Sequence, residues 1–556
     1  MSKSGEVGAV QHASLAAETV CGAFQISAAG RPDQVALRAF GGGLELTFAD
    51  FAARVRALAE GLYSLGVRRG DTVALMLTNR PEFSIADVAA MHLGAASFSV
   101  YNTSSPEQIN HLFTNAGNSV AITERQFLPR VLEARTDELR HIVLVDSAEH
   151  GMLTLDELAR TRVRGFDFEA AWRAVEPDDV ITLIYTSGTT GPPKAAQLTH
   201  RSVMFECRAL SEALSIRPGG RIISYLPSAH VGDRVLGHYG ASLCYGTTVA
   251  SLADLKQIPA ALAEVRPTLF GAVPRVWEKL KAGLESAGLR EPSKLPEAGK
   301  ALVRSRLGLD HCEILITSAA PASVEVMQYF DALGLRLNEG WGMSELSCFA
   351  TISPPGDIRM GTVGRALPGV ELKRLDDGEL LVRAPLVMRS YRGDPERTAA
   401  ALDADGWLYS GDIAEIDGDG YVRIVDRKKE IIINSAGKNM SPANIELKLR
   451  ASSPLIAHAV CIGDRRPYNV ALIVLDREVL ARSSGGSPPS GDAMRAQIAA
   501  AVEAANASLS RVEQIKRFEI LDADWAPGGD ELTPTMKLKR RPIEAKYQSV
   551  ISRLYE

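Results

Sequence analysis

No run of this 556-residue chain approaches the roughly eighteen consecutive apolar residues that a membrane-spanning helix requires. The first twenty residues, MSKSGEVGAVQHASLAAETV, also lack the basic start and apolar block of an export signal. The expected location is the cytoplasm, with no membrane span. A strong charge of either sign is missing too: 62 Lys and Arg stand against 67 Asp and Glu, for a formal charge of −5. This balance fits a globular protein rather than a polyanion binder, so no nucleic-acid partner is expected. Cysteines number six, Cys21, Cys207, Cys244, Cys312, Cys348 and Cys461, with no CxxC pair and no histidine at metal-ligand spacing. A disulfide framework and a structural zinc site are excluded, and free buried thiols are expected.

What is present is apolar and long. The chain is 46% hydrophobic and 23% charged, the balance of a globular protein, and its length exceeds what one core fills. Arginine outnumbers lysine and alanine is abundant, which reads as the imprint of a high-GC bacterial genome. Apolar residues at Phe48, Phe51, Val55, Leu58 and Leu62 recur at helical spacing, with Gly66 where that helix would stop. There follow TVALML, a helical stretch from Pro81 to Leu93, FSVY, a helix from Pro106, and SVAIT. Such alternation predicts an α/β fold whose mainly parallel sheets are covered by helices. Near residue 426, IVDRKKEIIINSAGKN places a charge cluster between two apolar strands. The segment beyond it has its own strand and helix pattern (AHAVCIGD, NVALIVLD, a helix over 493–509, KRFEIL) and predicts a smaller α+β domain. The division expected is 1–426 and 427–556.

After the apolar run Ile181 to Tyr185 comes TSGTTGPPK, residues 186–194. Glycines let successive N–H groups converge on one centre, and the hydroxyls and lysine add donors and charge, which makes a concave anion site suited to phosphate. The spacing of Gly188 and Lys194, and the lack of Ser or Thr after the lysine, exclude a Walker loop.

With LTH after it, this stretch resembles the phosphate loop of the adenylate-forming superfamily, which includes acyl-CoA synthetases, peptide-synthetase adenylation domains and luciferases. The resemblance continues in order through YLPSAH at 225, VPRVWEK at 273, TSAAP at 317, EGWGMSE at 339, GWLYSGD at 406, VDRKKE at 425 and LTPTMKLKRR at 532. Within the superfamily the motifs are most similar to the long-chain fatty acyl-CoA ligase branch, including its bubblegum-type relatives. Between Lys279 and Ile314 the chain is shorter than in those ligases, which leaves the acyl pocket, and so the acid, open.

The resemblance implies a large AMP-binding adenylation domain and a small alternating domain. It also implies ATP or AMP, Mg²⁺ and coenzyme A as cofactors and cosubstrates, and a hydrophobic carboxylic acid or its acyl-adenylate as partner. Thr186, Ser187, Gly188, Thr189, Thr190, Gly191 and Lys194 would cradle the triphosphate, and Glu345 would hold Mg²⁺ and be catalytic. Lys537 would reach the α-phosphate and acyl carboxylate, and His230 would stand near that carboxylate. Asp412 would bind the ribose diol with Arg427. Trp341 would stack on adenine in place of the usual tyrosine, core packing being the alternative, with Ser318 and Ser344 also at the nucleotide. Lys429 would be the hinge between the half-reactions, and Gly437, with Ala436 and Lys438, would border the pantetheine channel.

Three positions depart from the pattern. Ala195 stands where glycine usually follows the loop lysine, Ser318 replaces a glycine, and Gln197 is polar where an apolar residue is common. If such a glycine has positive φ, a Cβ there costs about 1 kcal/mol or more. Two readings follow: tolerated drift, or a weakened first half-reaction in which a partner enzyme supplies the adenylate of a natural-product acid. A non-catalytic nucleotide-binding protein is the alternative of another class.

Overall fold

The computed structural model describes residues 13–186, 192–433, 439–483, 491–533 and 536–556. The helix Phe48–Ser64 begins at a capping box in which Thr47 accepts from the Asp50 N–H and Asp50 accepts from the Thr47 N–H. Its five periodic apolar residues are all buried, and Gly66, at φ +93°, turns the chain away after its last turn. The strand Thr72–Met76 then pairs in parallel with Ala96–Ser99 on one side and Val120–Thr123 on the other. The helices Pro81–Met91 and Pro106–Ala116 make the crossovers.

These strands lie inside an eight-stranded sheet whose antiparallel hairpin, Val180–Thr186 with Lys194–Thr199, carries the phosphate-loop candidate at its tip. A five-stranded sheet holds Leu269–Ala272, Ile314–Thr317 and Leu337–Trp341 in parallel. The four-stranded sheet over residues 371–427 departs from the parallel expectation, being antiparallel throughout. Two of its connections are tight turns, closed by Gly378 N–H to Leu375 O and by Gly420 N–H to Asp417 O. Such turns can only reverse a strand, whereas a parallel return needs a crossover.

The apolar clusters separate along the chain. Three draw on residues 20–422, and two draw only on residues 432–554, around the three-stranded sheet Ile456–Ile462, Asn469–Leu475 and Ile515–Leu521. All six cysteines are free, Cys312 half-buried and the others buried. No described helix is long and apolar enough to cross a membrane.

Candidate active site

A cleft of about 2540 Å³ is lined by residues of both core groups. A pocket for one small ligand occupies roughly 300–1,000 Å³, so this cleft has room for more than one.

On one wall, Thr186 and Lys194 are opposed at the ends of the hairpin strands. The Thr186 hydroxyl is buried with no partner among the described residues, an orphaned donor at the mouth of the loop. Ser187, Gly188, Thr189, Thr190 and Gly191 lie outside the described residues, as does Gly437. Lys194 Nζ donates to Tyr391 Oη at 2.9 Å, and Tyr391 Oη donates to Glu345 Oε1 at 2.7 Å. Burial holds the Lys194 ammonium below its ordinary value, an effect that Glu345 opposes. Burial and Glu345 push the Tyr391 phenol up, so it remains a donor. Tyr391 joins the phosphate-loop lysine to the acidic residue of EGWGMSE, a role that sequence reading missed. The three residues are 46 and 197 positions apart, and only the strand Ser390–Tyr391, added to the hairpin edge, brings them together. Tyr391→Phe is expected to lower kcat/KM for ATP about ten- to a hundredfold, the range for losing a hydrogen bond to a charged group. Steady-state kinetics with ATP varied would measure it.

Ser344 and Glu345 occupy a single helical turn, Ser344–Leu346, that follows the strand ending at Trp341, and both line the cleft. No group of three His, Cys, Asp or Glu among the described residues could cage a metal. Glu345 fits the other mode of Mg²⁺ binding, in which one carboxylate shares the ion with substrate phosphates.

Also lining the cleft, Asp412 and Arg427 face each other across neighbouring antiparallel strands, and Arg427 Nε lies 2.7 Å from Asp412 Oδ1. Trp341 Nε1 donates to Asp412 Oδ2 at 2.7 Å. Burial raises the Asp412 pKa, opposed by Arg427 and then by the indole N–H. The two donors fix the carboxylate plane, and the remaining lone pairs can accept from a diol. Trp341 is buried and lines the cleft, but its polar edge is committed to Asp412, a contact that the expected tyrosine could not make through an indole N–H. Ser318 also lines the cleft, on the loop after the strand Ile314–Thr317.

His230 accepts the Gly232 N–H through Nδ1 at 3.1 Å. That bond puts the ring proton on Nε2, and burial, reinforced by Lys537, lowers the pKa to about 4. At neutral pH His230 is therefore an uncharged donor. Lys537 sits on a turn where its N–H donates to Thr533 Oγ1 at 3.0 Å and Met536 takes φ +65°. Its side chain keeps solvent access, yet the surrounding protein holds its ammonium below the ordinary lysine value. Desolvation is the largest cause; Arg427 adds to it, and Asp412 and Glu345 oppose it. Lys537, His230, Asp412 and Glu345 thus line one cleft and share one electrostatic environment. Lys429 also lines the cleft.

The departures prove sterically quiet. Ala195 and Ser318 both lack positive φ; the left-handed residue of TSAAP is Ala319, at φ +74°. The expected backbone strain at the two replaced glycines is therefore corrected. Ala195 lies in a strand, 2% exposed, its methyl part of a core cluster, and Gln197 Nε2 donates to Ser390 Oγ at 2.7 Å on the edge strand. Ala195→Gly is expected to leave pyrophosphate release unchanged while costing about 0.5–1 kcal/mol of stability, as glycine does in a strand, measurable by denaturant titration.

The family model for AMP-binding enzymes matches residues 24–392, and the model for the C-terminal domain of AMP-binding enzymes matches residues 429–556. The chain belongs to the AMP-binding enzymes, the adenylate-forming superfamily. It is 48% identical over 450 residues to fadD11 of Mycobacterium tuberculosis, a fatty-acid–CoA ligase by name, covering 73% of this chain and 79% of that one. It is 35% identical over 561 residues to the long-chain-fatty-acid–CoA ligase FadD15 of the same organism, covering 92% of each. Among solved structures, the anthranilate CoA ligase AuaEII in complex with anthranoyl-AMP superposes with a TM-score of 0.80 at 20% identity, covering 96% of this chain and 98% of that one.

Proposed function

We propose that this protein is an ATP-dependent, AMP-forming acyl-CoA ligase that activates a hydrophobic carboxylic acid, a long-chain fatty acid first among them. The observation that carries this reading is the convergence of Lys194, Glu345, Asp412, Arg427, His230 and Lys537 on one cleft. In the first half-reaction the acid's carboxylate attacks the α-phosphorus of ATP, forming an acyl–phosphate bond as pyrophosphate leaves. Two anions must meet, so cations aimed at the developing charge supply the largest share of catalysis. Lys194 and Lys537 are those cations, and neutral His230 offers an N–H to the carboxylate without adding charge. Asp412, held by Trp341 and Arg427, would receive the ribose hydroxyls. Mg²⁺, bound by Glu345 and the phosphates, would neutralise charge on the departing pyrophosphate. In the second half-reaction the CoA thiol, losing its proton, attacks the acyl carbon and AMP leaves.

The hinge reading at Lys429 is supported by how its neighbours are tied. Lys428 Nζ bonds Asp377 at 2.6 Å and Glu379 at 2.7 Å, both in the large domain. Glu430 accepts from Arg540 of the small domain at 3.0 Å. Lys429 is the residue between two anchors, where a change of φ and ψ would turn one domain against the other. The test of the ligase reading is AMP and pyrophosphate release with ATP, Mg²⁺, CoA and a panel of fatty and cyclic acids, beside synthetic acyl-AMP with CoA. Release with a free acid is expected. Thioester from supplied acyl-AMP alone would instead favour the partner-fed reading, and silence in both assays a non-catalytic nucleotide binder.

A further inference from the structure

One turn beyond His230, on the helix Gly232–Cys244, a carboxyl lines the cleft that the mechanism above does not use. Asp233 is 6% exposed. Its Oδ1 accepts from Ser224 Oγ at 3.0 Å, and Ser224 is held in turn by Asn79 Nδ2 at 3.0 Å. Its Oδ2 has no hydrogen-bond partner among the described residues. Most neighbouring donors are engaged elsewhere, and Arg234 Nε, buried without a partner among the described residues, does not bond it either. Arg234 bonds Asp87 and Ser99, His238 bonds Asp87, and the Tyr225 hydroxyl donates to Gly271 O at 2.9 Å. Four residues further along the same helix, Gly237 lacks the Cβ that would come within 3.3 Å of Asp233 Oδ1, the oxygen held by Ser224. A buried carboxyl with one oxygen unpartnered among the described residues, lining the cleft, is a site waiting for a donor.

Asp233 follows His230 by only three residues and both line the cleft, so Asp233 stands close to the point where His230 meets the acid's carboxylate. We propose that Asp233 is a specificity-determining residue of the acyl pocket, its free oxygen recognising a hydroxyl on one of the first carbons of the acid chain. This inference rests on the ligase reading and names the substrate class for it: hydroxy acids in preference to plain alkyl acids. A plain chain leaves the carboxyl unpaired or forces a water to stay beside it, and sites built to bond a hydroxyl discriminate strongly against analogues that lack one. Burial pushes the Asp233 pKa up to about 7, opposed by Ser224 and then Arg234, and a hydroxyl can satisfy either form, accepting from the acid or donating to the carboxylate.

The test compares kcat/KM, from AMP release with ATP, Mg²⁺ and CoA, for dodecanoic acid and its 2-hydroxy and 3-hydroxy counterparts. It is run in wild type, Asp233→Leu and Asp233→Asn, with a melting curve for each. In wild type one hydroxy acid is expected to exceed the plain acid about tenfold or more. Asp233→Leu should bring that ratio to one or below by improving the plain acid, and Asp233→Asn, which keeps an oxygen acceptor, should retain part of it. A wild-type ratio near one overturns the inference, as does an unchanged ratio in a folded Asp233→Leu. Should Asp233→Leu fail to fold, the wild-type ratio and Asp233→Asn decide. Turnover of the acids without discrimination sinks this inference alone, whereas no AMP release with any acid sinks the ligase reading and this with it.

Discussion

Lys537→Ala is expected to lower acid-dependent pyrophosphate release about a hundred- to a thousandfold, the cost of removing one preorganised donor from developing charge. Thioester formation from synthetic acyl-AMP and CoA should fall far less. The asymmetry follows from where the charge lies. In the first step an anionic carboxylate approaches an anionic triphosphate, and Lys537 lines the same cleft as Glu345 and Asp412 with its ammonium already partly desolvated. In the second step the acyl carbon is activated and no like charges meet. Lys537→Arg would keep the cation but not its compact shape and should recover only part of the rate. Equal loss in both assays would mean that Lys537 supports the fold of the cleft rather than the first reaction.

The second large effect is on stability. Asp87, on the helix Pro81–Met91, is fully buried together with Arg234. It is bonded by the Arg234 guanidinium, by Ser97 Oγ and, at 2.9 Å, by His238 Nε2. Arg234 Nη2 also reaches Ser99 Oγ at 3.1 Å. Asp87→Ala leaves the guanidinium buried without its counter-ion, and a loss of about 3–5 kcal/mol is expected in denaturant titration. A double variant, Asp87→Leu with Arg234→Leu, should regain much of it, because the uncompensated charge is gone. Burial raises the Asp87 pKa, but Arg234 and His238 outweigh it and hold the carboxyl at about 2, against about 3.8 unperturbed. A depressed carboxylate stabilises the fold above its unfolded value, so this contribution is complete above about pH 4 and fades as pH falls towards 2. The network anchors the helix that begins just after His230, so the destabilised variant should also bind the acid less tightly.

Local rules made much of this architecture readable. The helix Phe48–Ser64 could be read from its apolar spacing and ends because both its capping box and its terminal glycine are written in neighbouring residues. The strands Thr72–Met76 and Val120–Thr123 could be read because continuous apolar runs between helices require a parallel sheet covered on both faces. The opposition of Asp412 and Arg427 was reachable only through motif resemblance, since it depends on the register of two strands. Contacts between distant segments were not readable at all. Asp87 meets Arg234 across 147 positions, and Tyr391 meets Lys194 across 197. No local period records either pairing. Trp341 shows a subtler limit: its place in EGWGMSE suggested stacking, while its N–H and the Asp412 carboxylate revealed a second use only in three dimensions.

The most direct test of the central claim is pyrophosphate release by the wild-type protein with ATP, Mg²⁺ and a long-chain acid, with CoA left out. An acid-dependent burst close to one pyrophosphate per cleft is the predicted result, because the first half-reaction needs only the residues gathered there. No burst with any acid, alongside thioester formation from supplied acyl-AMP, would contradict the claim that this cleft activates its own substrate.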